Sequence, residues 1–222
     1  MKTDTAHRAW DARWKSVEGR ADWLAAEPDV VETATELSGR LGPVRALDLG
    51  CGVGRHALLF ARLGFETSAL DLAEAGIAEL RKSAVEEGLE VDARVAPMTE
   101  LPFADGTFDY VLSFNVLYHG APEVVAAAIG EIRRVLKPGG LFQGTMLSKR
   151  NAGFGLGSEV APDTFVREEG DDMDDSDKVH PHFYCNAAGL VALYDGFELL
   201  SLRDELHKRP GSWHWHMVAE RT

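Results

Sequence analysis

Apolar and polar positions along the chain form short runs whose period changes repeatedly between strand type and helix type. Apolar runs of strand type lie at residues 44–49, 65–70, 91–95, 108–114 and 141–147, and helical patterns lie between them at residues 54–63, 73–88 and 123–136. Strands that alternate with helices of this length predict an α/β fold. Its sheet is expected to be mostly parallel, with helices on both faces.

Both ends of the chain lack this alternation of strand and helix patterns. Residues 5–41 carry amphipathic helical patterns, and residues 197–203 and 213–220 are strand-like runs joined by a loop that contains Pro210-Gly211. The second pattern predicts an antiparallel hairpin added to the sheet. Residues 148–182 form a long polar segment with an acidic run at 168–177. We interpret that segment as a loop that is either a functional lid or disordered, and the acidic run as a solvated part of it.

Composition narrows the choice of partner and compartment. The 222 residues include 36 acidic and 23 basic side chains, for a formal net charge of -13. Such a surface repels phosphate backbones, which favours small-molecule partners over nucleic acid. Cys51 and Cys185 are too few for a disulfide framework, and no run reaches the roughly 20 apolar residues of a membrane span. We therefore expect a cytoplasmic protein with no membrane partner.

The most informative stretch is Leu-Asp-Leu-Gly-Cys-Gly-Val-Gly-Arg at residues 47–55, between a predicted strand and a predicted helix. Residues without a Cβ allow a sharp turn and let a ligand approach the backbone N–H groups. Asp48 lies two residues before the first glycine, and Asp71 ends the second predicted strand. A carboxylate at that place offers two acceptor oxygens to the vicinal hydroxyls of a ribose.

These residues resemble the first two motifs of class I S-adenosylmethionine-dependent methyltransferases. Further similar stretches are residues 101–109, before the fourth strand, and residues 134–140, before the fifth. Trp10, Arg13 and Trp14 resemble the N-terminal segment of the small-molecule branch that contains tellurite and thiopurine methyltransferases. The resemblance implies a Rossmann-like, doubly wound sheet that binds S-adenosylmethionine and releases S-adenosylhomocysteine.

The resemblance also implies roles for individual residues. It places the methionine part of the cofactor over Gly50–Gly52, with Asp48 near its amino group, the ribose on Asp71 and the adenine near Leu72 and Met98. The family often has an acid at the position of Pro97, so adenine recognition here must use other groups. The predicted cofactor-binding residues are Asp48, Gly50, Cys51, Gly52, Gly54, Asp71, Leu72, Pro97, Met98 and Asn115.

The methyl acceptor is expected at the carboxyl end of the fourth strand. His119 follows that strand, and its ordinary pKa lies near neutral pH, so it is the predicted catalytic residue, acting as a base or as a group that orients the acceptor. A histidine in a cap or on the surface is the alternative interpretation. The predicted acceptor-binding residues are Trp14, Tyr118, His182 and Tyr184.

The whole of residues 1–222 is predicted to be a single methyltransferase domain. Its predicted parts are an N-terminal helical cover (1–41), a cofactor-binding core (44–147), an acceptor-side insertion (148–195) and a C-terminal hairpin (196–222). No metal site is predicted, because His214 and His216 share a strand face but lack a third ligand at a fixed local spacing.

Three other functions compete with transfer of a methyl group to a small molecule by in-line displacement. A nicotinamide-dependent oxidoreductase requires a glycine where the chain has Arg55. A non-catalytic protein that binds the adenosyl cofactor has the same motifs as an enzyme. An RNA methyltransferase is disfavoured by the negative charge. The sequence does not identify the acceptor, the atom that is methylated or the oligomeric state.

Overall fold

The computed structural model describes residues 5–39, 43–168 and 177–222. The helices are α1 (His7–Trp14), α2 (Val17–Arg20), α3 (Pro28–Ser38), α4 (Arg55–Arg62), α5 (Glu74–Glu87), α6 (Pro122–Val135) and α7 (Ala187–Leu193). The strands are β1 (Arg45–Leu49), β2 (Glu66–Asp71), β3 (Val91–Val95), β4 (Phe108–Ser113), β5 (Leu136–Ser148), β6 (Ser158–Ala161), β7 (Thr164–Val166), β8 (His182–Cys185), β9 (Phe197–Leu206) and β10 (Trp213–Arg221).

The central sheet has the order β3-β2-β1-β4-β5, and all of these neighbours are parallel. Strand β10 pairs with β5 in the antiparallel direction, and β9 pairs with β10. The predicted parallel sheet with a C-terminal antiparallel hairpin is therefore confirmed. Because the strand order reverses between β1 and β4, a crevice opens at the carboxyl ends of these two strands, where ligands of such sheets bind.

Alternate residues of the central strands pack into hydrophobic clusters on opposite faces of the sheet. Leu47 of β1 and Val111 of β4 point into a cluster with α6 and α7. Ala46 and Tyr110 point into a second cluster with α3 and α4. Helices cover both faces, so these strands appear in the sequence as nearly continuous apolar runs rather than as strict alternation.

Helix boundaries follow from local residue chemistry. Helix α6 begins at Pro122, whose missing N–H costs nothing in the first turn. Helix α5 ends at Gly88, which adopts a left-handed conformation with φ +67°. Helix α1 is attached to the start of α5, because the Ala75 backbone N–H donates to Asp11 Oδ1 at 2.8 Å. This contact brings the N-terminal helices next to the glycine loop.

The segment between residues 148 and 182 contains more regular structure than the sequence predicts. Strands β6 and β7 form a short hairpin within it, and β8 then pairs in parallel with Leu147 and Ser148 of β5. Strand β4 stops pairing with β5 at Gly144, which leaves this side of β5 free for β8. Of the predicted acidic loop, residues 169–176 lie outside the described residues.

Two strand boundaries also differ from the predicted ones. Strand β5 begins at Leu136, five residues earlier than the apolar run at 141–147, because Leu136 already pairs with Phe108 before the register shifts. Strand β9 continues to Leu206, beyond the predicted end at residue 203. Within the described residues, no helix combines the length and the apolar character that crossing a membrane requires.

Candidate functional site

The glycine loop turns sharply at the carboxyl end of β1. Gly50 and Gly52 have φ values of +74° and +52°, in the left-handed region that side chains disfavour. The Gly50 N–H donates to the Leu70 carbonyl of β2 at 2.7 Å, which holds the loop against the neighbouring strand. A Cβ at Gly52 would lie 3.1 Å from the Trp14 ring, so the backbone approaches that indole closely. Gly54, also left-handed, starts α4 and packs on Leu80 instead of facing the cavity.

The two carboxylates of the motif lie in different environments. Asp48 is 1 % exposed, lies below the loop and accepts a hydrogen bond from the Ala57 backbone N–H at 3.0 Å. Its complete burial raises its pKa from 3.8 to about 7, since burial penalises the charged form. Asp48 is not among the residues that line the cavity described below. Its predicted contact with the cofactor stays a prediction.

Asp71 faces the cavity. Its Oδ2 accepts from the Gly52 N–H and its Oδ1 from the Ala73 N–H, both at 2.8 Å. Burial raises the pKa of this carboxyl, although the two N–H donors act in the opposite direction. Each carboxylate oxygen can accept a second hydrogen bond, so two ligand hydroxyls could still be bound.

A cavity extends along the carboxyl ends of β1, β2 and β4 and collects most of the predicted cofactor residues. Gly50, Cys51, Gly52, Asp71, Leu72, Pro97, Met98 and Asn115 line it, together with Trp14 and His119. We call this space the cofactor cavity. Burial raises the pKa of the Cys51 thiol well above its ordinary value, as suits a packing role. Sequence reasoning missed further lining residues, including Trp23 and Thr99, which belong to no local motif, and Arg55, which directly follows the glycine loop.

Three tryptophans form the outer wall of the cofactor cavity. Trp10 and Trp14 stack at 5.1 Å between ring centroids, and Trp23 meets both edge-on, at 5.1 and 5.7 Å. The indole N–H groups of all three are buried and have no hydrogen-bond partner among the described residues. A buried donor without a partner costs free energy, so these three N–H groups are a cost that the fold carries at this wall.

A second cavity of about 700 Å³ adjoins the first and shares with it Trp10, Trp23, Arg55, Phe114 and Asn115. We call it the acceptor-side cavity. Of the predicted acceptor residues, Tyr118 and Tyr184 line it. Asn115, at the junction, holds a φ of +61°, a conformation that is uncommon outside glycine and often found at functional sites.

His119 lies at the boundary between the two cavities, with both ring nitrogens engaged. Its Nδ1 lies 2.9 Å from the Val116 carbonyl oxygen and its Nε2 lies 3.4 Å from Asp177 Oδ2. His182, 1 % exposed on β8, also points Nε2 at Asp177 Oδ2, at 3.2 Å. His182 lines neither cavity. Burial and the neighbouring Lys178 lower the pKa of His182 to about 3, so this imidazole is neutral.

Comparison with known proteins agrees with this arrangement. Residues 46–140 match the family model described as a methyltransferase domain. The matched residues form a methyltransferase domain, which makes up less than half of the 222-residue chain. This result confirms the family and the cofactor predicted from the sequence. The matched residues contain the glycine loop, Asp71 and His119.

One curated relative of this methyltransferase domain is ubiquinone biosynthesis O-methyltransferase from Xanthomonas euvesicatoria pv. vesicatoria. The two are 35 % identical over 149 residues, and the alignment covers 65 % of this chain. The chain spans 60 % of the length of that relative.

Solved structures share the fold at lower identity. The 1,6-didemethyltoxoflavin-N1-methyltransferase of Burkholderia thailandensis, solved with its substrate and S-adenosylhomocysteine, superposes with a TM-score of 0.71 at 22 % identity. That superposition covers 98 % of this chain and 88 % of the other. The (4+2)-cyclase SpnF superposes equally well, with a TM-score of 0.71, 20 % identity and coverage of 99 % and 96 %. The fold alone therefore does not fix the reaction.

Proposed function

We propose that this chain is an S-adenosylmethionine-dependent methyltransferase that transfers a methyl group to a small-molecule acceptor by in-line displacement. The observation that carries the proposal is the position of Asp71, whose carboxylate faces the cofactor cavity beside the side-chain-free loop at Gly52. S-adenosylmethionine would supply a methyl group on a positively charged sulfur: the acceptor atom bonds to the methyl carbon as the C–S bond breaks, and S-adenosylhomocysteine leaves as a neutral thioether.

The residues of the chain contribute binding, orientation and exclusion of water. Asp71 binds the ribose hydroxyls, and the glycine loop lets the ligand approach the backbone. The tryptophans at positions 10, 14 and 23 form the outer wall of the cavity and restrict the access of water. Holding the acceptor in line with the methyl group can by itself contribute several kcal/mol to catalysis. The adjacent acceptor-side cavity has room for a small molecule.

Oxygen is the first acceptor atom to test. The curated relative is named an O-methyltransferase, whereas a structural neighbour is named for methylation of nitrogen. The acceptor-side cavity contains Tyr118, Phe114 and several histidines, which suit an aromatic or otherwise flat molecule. A cytoplasmic location and a single domain over residues 1–222 stay predictions.

Cofactor binding is tested by thermal unfolding. S-adenosylhomocysteine at about 100 times its Kd stabilises a protein by about 2.7 kcal/mol. For a chain of this size we expect a rise in Tm of about 5–10 °C. NAD should give no rise, and Asp71→Ala should remove most of the effect. Asp92→Ala, which removes an exposed carboxylate on β3, is the matched control and should keep it. Equal stabilisation by NAD would overturn the assignment.

Turnover separates an enzyme from a non-catalytic cofactor-binding protein. A screen of small hydroxylated aromatic compounds for release of S-adenosylhomocysteine is expected to find a substrate. His119→Ala should then lower turnover by roughly 10²–10⁴-fold while the Tm shift with S-adenosylhomocysteine persists, as expected for a residue that acts on the acceptor. Unchanged turnover in His119→Ala would exclude a catalytic role for this residue.

A further inference from the structure

Two imidazoles and one carboxylate converge beside the junction of the two cavities. Nε2 of His119, Nε2 of His182 and a carboxylate oxygen of Asp177 all lie within 4.8 Å of one another. The three side chains are largely buried, at 9 %, 1 % and 6 % exposure. They come from the end of β4, from β8 and from the loop before β8, so the sheet topology rather than a local motif brings them together.

Backbone contacts orient both histidine rings. Nδ1 of His119 lies 2.9 Å from the Val116 carbonyl oxygen, and Nδ1 of His182 lies 2.8 Å from the His180 carbonyl oxygen. A carbonyl only accepts, so each Nδ1 donates its proton there and the Nε2 of each ring is turned toward Asp177. A backbone carbonyl that fixes Nδ1–H in this way is the usual support of a metal-binding histidine.

The Nε2 atoms of both rings face the same oxygen, Asp177 Oδ2, at 3.4 and 3.2 Å. Imidazole nitrogens and carboxylate oxygens are ligand atoms that zinc binds in proteins. The two nitrogen–oxygen separations are close to the spacing of about 3.3 Å between ligand atoms in a tetrahedral site with metal–ligand bonds of about 2.0–2.1 Å.

The structure itself places one positive charge at this point. The Lys178 ammonium lies 3.2 Å from Asp177 Oδ2 and 3.2 Å from Nε2 of His182. Nε2 of His119 still faces the Asp177 carboxylate beside this ammonium. The Lys178 side chain is 24 % exposed. Lys178 lines the acceptor-side cavity, so the ammonium has open space into which it can withdraw.

We propose that His119, Asp177 and His182 bind a divalent transition-metal ion of the zinc type, and that Lys178 takes the place of this ion when it is absent. Three protein ligands leave a fourth position open, as in catalytic zinc sites. That position would face the junction, because His119 lines the cofactor cavity and Asp177 lines the acceptor-side cavity. An acceptor oxygen or sulfur could then be bound there as an anion, a consequence that rests on the proposed methyl transfer.

Metal binding is tested directly, without turnover. The full chain is stripped with a chelator and titrated with zinc chloride by calorimetry, and one ion per chain is expected. Co²⁺ in place of zinc should give the visible absorption of a tetrahedral site. Asp177→Asn, which keeps the shape of the side chain, and His182→Gln should each weaken zinc binding by at least about tenfold. Their thermal unfolding curves establish that both variants are folded.

Two further variants separate this site from adventitious binding. Lys178→Ala removes the competing cation, so it should bind zinc more tightly, by about tenfold or more. A mere ion-pair network predicts no gain in zinc affinity for this variant. Asp92→Asn, which changes an exposed carboxylate on β3, should leave zinc binding unchanged. Absence of zinc binding in the wild-type chain, or loss of binding in Asp92→Asn but not in Asp177→Asn, would overturn the proposal.

The test of zinc binding is independent of the test of cofactor binding. Asp177 lies outside the cofactor cavity, so Asp177→Asn should keep the Tm shift with S-adenosylhomocysteine. A normal shift without zinc binding would reject the metal site and leave the methyltransferase proposal intact. Zinc binding without any shift would reject the methyltransferase proposal alone.

Discussion

At the scale of single residues, two carboxylates that look alike in the sequence differ in environment. Asp71 binds backbone N–H groups at the rim of the cofactor cavity, whereas Asp48 is enclosed beneath the loop with the Ala57 N–H as its partner. Only Asp71 lines the cavity. The pKa of Asp48 is raised to about 7, so its ionised form destabilises the fold.

Asp48→Asn should therefore stabilise the free protein in a pH-dependent way. The folded pKa of about 7 exceeds the ordinary value of 3.8. Below pH 3.8 the carboxyl is protonated in both states, and above pH 7 the full cost of the buried charge is present. This difference corresponds to on the order of 4 kcal/mol, an upper bound for the gain. Urea unfolding at pH 4, 6 and 8 measures it, and a gain that does not grow with pH would contradict the assignment.

At the scale of elements, the N-terminal helices place three indole rings in the wall of the cofactor cavity. Helix α1 carries Trp10 and Trp14, and Trp23 follows α2 in a short 3₁₀ turn. Arg55 lies over the Trp23 ring, with its guanidinium carbon 5.2 Å from the centroid, and bonds Glu27 at 2.7 Å, which ties this cover to the start of α4.

Trp14→Phe should weaken binding of S-adenosylhomocysteine by about tenfold. It should lower the stability of the free protein less than Trp215→Phe does. The reason is that Trp14 lines the cofactor cavity, so we expect its indole to contact the ligand, whereas its N–H has no partner in the free protein. Trp215→Phe is the matched control, because its Nε1 already donates to the Cys185 carbonyl at 2.9 Å. The control should lose more stability and keep its affinity. Calorimetry and thermal unfolding measure both, and equal affinity of Trp14→Phe and wild type would contradict this role of the cover.

At the scale of the whole molecule, the net charge of -13 leads us to expect a small-molecule partner rather than nucleic acid. An RNA methyltransferase that neutralises 6–10 phosphates loses about 10³–10⁵-fold in affinity between 50 and 200 mM salt. An uncharged small acceptor releases no such counterions. We therefore expect kcat/KM for such an acceptor to change little over this range. Tight, steeply salt-dependent binding of RNA to the wild-type chain would favour the rival function.

The sequence by itself determined the features that depend on local spacing. The parallel α/β core could be predicted because its strands are buried on both faces and separated by helices of regular length. The glycine loop and Asp71 could be predicted because a turn, a strand end and a carboxylate follow one another at fixed distances along the chain. Within the cofactor cavity, eight of the predicted residues occur together for this reason.

Only the tertiary structure decided which distant groups meet. Asp48 and Asp71 are equally prominent in the motif, and only the structure shows that Asp71 lines the cavity whereas Asp48 lies beneath the loop. Strand β8 was not predicted, because it forms by pairing with the edge of β5 beyond Gly144 that β4 leaves free. No local sequence pattern encodes that free edge. His119 and Asp177 stand 58 residues apart and contact each other only because β8 docks at that edge. Local chemistry fixes elements and turns, whereas contacts between side chains far apart in the chain depend on how the sheet is assembled.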